Sequence, residues 1–74
     1  MNKWLPVGDN PFTKKLRRIC CGKLECAELV ADEAKNLRKY SSVSIVKDMP
    51  GVEYIVTQDW DTFFIFEKTI YRVI

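Results

Sequence analysis

The carboxyl-terminal thirteen residues, TFFIFEKTIYRVI, contain no Gly, Pro, Asn or Asp. In an extended segment, Phe64, Phe66, Ile70 and Ile74 point one way and Phe63, Ile65, Tyr71 and Val73 the other. A sheet with one solvated face alternates apolar with polar residues, whereas this segment is apolar on both sides. Both faces of its sheet therefore need cover, and what covers the second one is the main question its sequence raises.

The rest of the chain is short of material for that task. It has 74 residues, 47% of them apolar and 30% charged, which fits one small globular domain spanning 1–74 and not a disordered segment. For this length, total stability comes to about 4–11 kcal/mol. Self-association is one way for so small a domain to gain stability.

Turn and cap residues divide the sequence. Residues 1–9 form an extended arm whose Trp4, Leu5 and Val7 need something to pack against. A short helix over 11–21 starts with Asn10 as cap and Pro11 at its first position, and Gly22 suits its end. Its apolar face is Phe12, Leu16, Ile19 and Cys20; a first strand near Lys15–Cys21 is the rival reading. A longer amphipathic helix over 24–40 follows from the stripe Ala27, Val30, Ala31, Ala34 and Leu37. Its acids precede its bases, in the order that suits the helix dipole.

From 43 to 74 the period becomes extended, giving an antiparallel meander of three strands with a fourth piece at 70–74. Pro50 and Gly51 suit the centre of a type II turn. A loop at Asp59-Trp60-Asp61 sets Thr57 opposite Phe63, Val56 opposite Phe64, Ile55 opposite Ile65 and Tyr54 opposite Phe66. A bend or break is expected at Glu67-Lys68.

The expected fold is thus α+β, with two amino-terminal helices, short and basic then longer and amphipathic, packed on a three- to four-stranded antiparallel sheet. The long helix would cover the face bearing Tyr54, Val56, Phe64 and Phe66. The face with Ile55, Phe63 and Ile65 is left to the short helix, the arm, a second copy of the chain or a foreign partner. The last strand is expected at a sheet edge.

Several kinds of chemistry find no support. There is no histidine, which removes the commonest general base and metal ligand together. Cys20, Cys21 and Cys26 lack the fourth ligand and paired rhythm of a zinc site, and an odd count with two adjacent thiols makes a poor disulfide framework. They read as reduced thiols of a cytoplasmic protein. The amino-terminal residues form no apolar signal core and no window is long enough to span a bilayer, so no membrane is expected as a partner. Asp59 and Asp61 read as turn-forming acids, not as a catalytic pair. Neither catalysis nor a cofactor nor a metal is expected.

Binding is the remaining class. Residues 1–40 carry nine Lys/Arg against five Asp/Glu, and residues 41–74 three against five, so the front half is basic and the back half acidic. The leading expectation is a small non-catalytic regulator or inhibitor that occupies a surface of a larger protein target. Small proteins of phages and mobile elements offer an analogy of size, though not of motif. Its contact residues would be Trp60, Phe63, Ile65 and Tyr71, since an exposed loop tryptophan is enriched at binding hot spots. Lys14, Lys15, Arg17 and Arg18 would guide an acidic partner. The alternative is a nucleic-acid-binding module using those four cations on phosphates. A homodimer through the second sheet face or the edge strand is a further alternative.

Overall fold

A computed structural model describes residues 3–74. The first two residues of the expected 1–9 arm lie outside that range. Eight elements follow in order: β1 (Leu5–Pro6), α1 (Pro11–Cys20), β2 (Leu24–Glu28), α2 (Ala31–Lys39), β3 (Ser42–Ile45), β4 (Glu53–Val56), β5 (Thr62–Phe66) and β6 (Thr69–Val73). The six strands form one antiparallel sheet in the order β1-β2-β6-β5-β4-β3.

Two expectations about the fold are corrected here. The sheet has six strands where three or four were expected, and the helices are interspersed with strands where both were expected at the amino-terminal end. The cause lies in the expected 24–40 helix, whose first half is β2. Leu24, Glu25, Cys26, Ala27 and Glu28 pair along their whole length with Val73, Arg72, Tyr71, Ile70 and Thr69. Glu25 and Arg72, opposite each other, add an ion pair in which Arg72 Nε and Nη2 donate to Glu25 Oε1 at 2.9 and 2.5 Å. A ladder that buries Leu24 and Ala27 outweighs the helical propensity of LECAE. What remains of the helix, α2, begins at Val30, a cap without a side-chain hydrogen bond.

Helix α1 follows its cap signals. Asn10 Oδ1 accepts from the Thr13 backbone N–H at 2.9 Å and Thr13 Oγ1 accepts from the Asn10 N–H at 3.1 Å, a reciprocal capping box. The left-handed residue at its end is Cys21 (φ 54°), not Gly22. Gly22 is required for space: a Cβ there would lie 2.9 Å from Val73 Cγ1.

The two helices answer the question of the two faces. Leu16 of α1 joins Leu24, Met49, Val52 and Phe64 in one core cluster, with Phe12, Tyr54, Phe66 and Tyr71 packed around it. Leu37 of α2 packs on the opposite cluster of Ala27, Ile55, Ile65 and Ile70, together with Trp4 and Phe63. The expected pairing of helix with face is therefore exchanged: the short helix covers Phe64 and Phe66, the later one Ile55 and Ile65. The connection from β2 to β3 runs from the second strand of the sheet to its far edge, which carries α2 across that second face. Arg38 of α2 anchors it to β4, donating to both carboxylate oxygens of Glu53 at 2.9 and 2.6 Å.

The last strand is also corrected, because β6 lies inside the sheet between β2 and β5, and the edges are β1 and β3. The break expected at Glu67-Lys68 is a two-residue hairpin turn between Phe66 and Thr69, with Glu67 at φ 56°. Gly51 (φ 87°) follows Pro50 between β3 and β4, where the sequence placed a type II turn.

Candidate binding surface

The β4–β5 turn differs from the expected one by a single step. Its loop residues are Gln58, Asp59 and Trp60, closed by hydrogen bonds from Thr57 N to Asp61 O (2.9 Å), Trp60 N to Thr57 O (3.0 Å) and Asp61 N to Thr57 Oγ1 (3.1 Å). Ile55 consequently pairs with Phe63 and Tyr54 with Phe64, instead of with Ile65 and Phe66. The offset is two residues, so every side chain keeps its face.

A three-residue hairpin loop ends on a left-handed residue, ordinarily Gly. Here that residue is Trp60, with φ 66° and 84% of its surface exposed. A bulky aromatic in this conformation is an outlier, and the cost of a left-handed L-residue is about 1–2 kcal/mol. Beside the turn runs a groove of about 430 Å³ between α2 and the β4–β5 hairpin, lined by Glu33, Leu37, Tyr40, Thr57 and Asp59 among others. Tyr40, at the end of α2, is 60% exposed, with Lys39 Nζ 5.3 Å from its ring centre. One end of the molecule thus presents an aromatic rim with acids from the turn and bases from the helix end.

The other expected contact residues lie elsewhere. Ile65 is 2% exposed and belongs to the core cluster under α2, so it presents no surface. Phe63 is half-buried, 6.4 Å from the Trp4 ring, which in turn stacks 4.5 Å from the Arg72 guanidinium. Tyr71 is half-buried on the opposite face, 5.5 Å from Phe12. Trp60 alone of the four is open to solvent. Tyr40 is not among the expected contact residues; the one signal that marks it in sequence is its position at the change from helical to extended period.

Tyr71 carries a pH signature. Burial, then the neighbouring Cys26 and Glu67, push its phenol above the ordinary range. The fold thus holds the neutral phenol better than the unfolded chain, whose value is about 10. That contribution is complete below pH ~10 and is lost as pH rises through the folded value. Melting followed from pH 9 to 11 is expected to fall more steeply for the wild type than for Tyr71→Phe; equal slopes would remove Tyr71 as the cause.

On α1, Lys14, Lys15 and Arg18 are exposed, but Arg17 is used within the fold. Its guanidinium pairs with Asp9 and donates to the Val7 carbonyl at 2.9 Å, tying the arm to the helix. Cys20, Cys21 and Cys26 are free thiols, and among the described residues no group of three or more His, Cys, Asp or Glu is placed to hold a metal ion. No helix among the described residues is long and apolar enough to cross a membrane. No protein-family model, curated protein or solved structure matches the chain.

Proposed function

We propose that the chain is a non-catalytic protein-binding module, a small regulator that occupies a surface of a larger protein through its Trp60 end. The observation that supports this is the conformation of Trp60: a left-handed backbone position, ordinarily filled by Gly, holds a large aromatic in solvent on a hydrogen-bonded turn. The residue is poor for the fold and good for an anchor, since a tryptophan that enters a partner's pocket loses water over a large area with little side-chain freedom to give up. The groove and Tyr40 beside it supply room for the partner's own side chain.

The basic helix supports a second reading, because Lys14, Lys15 and Arg18 remain exposed and could meet phosphates. Capture from nuclease-treated lysate separates the two. The wild type and a Lys14→Glu/Lys15→Glu/Arg18→Glu variant are expected to retain the same stoichiometric protein, and Trp60→Gly to lose it. If nuclease or the triple reversal removes the bound material, the nucleic-acid reading replaces this one.

A further inference from the structure

The two edges of the sheet are treated differently. At one, β1 is two residues long, contains Pro6 and follows Lys3, the usual devices against strand addition. At the other, β3 reads Ser-Val-Ser-Ile, with no charge and no proline, and all four residues are exposed. Ile45 is 78% exposed.

The backbone of β3 is equally open. Val46 N donates to Val52 O at 3.1 Å, and the register pairs Ser44 with Tyr54 and Ser42 with Val56. In an antiparallel ladder the bonded pairs alternate, so Ser42 and Ser44 spend their backbone groups on β4. Val43 and Ile45 direct theirs to the open edge. Their side chains share the α2 face of the sheet with Ile55, whereas Ser42 and Ser44 face the α1 side.

We infer that β3 pairs antiparallel with β3 of a second copy, about a two-fold axis at Ser44, to join two sheets into one. In this register Val43 faces Ile45 of the partner copy, and the pair exchanges the backbone bonds that each edge leaves open. Both apolar residues of each copy meet an apolar residue of the other. Shifting the pairing by one step centres it on Val43 or on Ile45. The first sets Ile45 against Ser41; the second sets Val43 against Lys47, beyond the end of the strand. Of the three, only the Ser44 register sets both exposed apolar residues of β3 against apolar residues of the partner copy. On the α2 face the cross-strand neighbour of Ile45 is Glu53, already paired with Arg38. A symmetric pairing closes at two copies, as isologous contacts do.

A four-residue strand pair buries less than the ~800 Å² per partner of a standard interface, so the dimer is reversible and concentration dependent. The inference is independent of the Trp60 end, and capture of a foreign protein does not bear on it. Sedimentation of the full chain over a wide concentration range is expected to show mass rising from one chain to two. Ile45→Lys, at a site too exposed to affect folding, is expected to hold it at one. A Ser44→Cys chain carrying Cys21→Ser is expected to cross-link to itself on oxidation, since directly opposed non-bonded residues have Cα atoms ~4.5 Å apart, within disulfide reach. A one-chain mass throughout, masses beyond two, or a dimer that survives Ile45→Lys would overturn the pairing. A dimer that does not cross-link through position 44 would overturn the register.

Discussion

Replacing Phe64 with Ala is expected to remove about 3–5 kcal/mol, the usual loss for a fully buried phenylalanine. Set against the roughly 4–11 kcal/mol available to a chain of this size, that leaves the fold marginal or lost. Phe64 is 0% exposed; its ring meets Tyr54 edge-on at 5.2 Å, and it lies in the cluster that Leu16 of α1 completes. Its neighbour Phe63 points to the other face, half-buried beneath Trp4. Phe63→Ala is expected to cost less than half as much, because part of its ring already meets water. Urea denaturation of the two variants measures the difference. Equal losses would mean that α1 does not seal its face more tightly than Trp4 and α2 seal theirs.

That asymmetry explains what could be read from the sequence. The double-sided apolar segment implied a sheet that needs cover on both faces, and the amino-terminal cap of α1, the Pro50-Gly51 turn and the break at Glu67-Lys68 are local devices written in single residues. Local devices are legible because their physics involves only neighbours in sequence. The strand β2 is not of that kind. Between Gly22 and Pro50 there is no Gly or Pro, and the passage from strand to helix at Leu29-Val30 has no side-chain cap to mark it. Ala27, which looks like one more residue of a helical stripe, is buried by strand partners far away in sequence. A helical period of alanines is weak evidence because alanine fits either element when the partner surface demands it.

The candidate site was legible to a similar degree and for the same reason. Trp60 announced itself by composition, an aromatic between two turn-forming acids. Ile65 could not be separated from it by sequence, since a core residue and a contact residue have the same apolar character, and only the packing of α2 distinguishes them. Arg17 was equally indistinguishable from its basic neighbours until the arm returned along α1 and placed Asp9 and the Val7 carbonyl within its reach. The open edge at β3 depended on strand order, which the missing β2 concealed: without it, the last strand falls at the edge that β6 in fact does not occupy.

The second large effect is expected at Trp60, and its two halves have opposite signs. Trp60→Gly puts the residue that a left-handed hairpin position ordinarily holds at φ 66°, and relieves the ~1–2 kcal/mol that an L-residue incurs there. Part of this is returned as extra freedom of glycine in the unfolded chain, about 0.5–1 kcal/mol, so the net gain is smaller. Because Trp60 is 84% exposed, its removal takes little packing with it. For a domain of this size, even ~1 kcal/mol raises the melting temperature by about 4–8 °C. The same variant loses an anchor of the kind whose truncation costs 2 kcal/mol or more, roughly a thirtyfold or greater fall in affinity for the partner protein. A variant that is more stable and binds less is what separates a residue kept for contact from one kept for folding. A lower melting temperature would show that the indole supports the turn, and the conformation of Trp60 would then cease to be a reason for assigning it a partner. Trp60→Ala provides the companion measurement: it removes the ring while keeping the strained backbone, so it is expected to reproduce the loss of binding without the gain in stability.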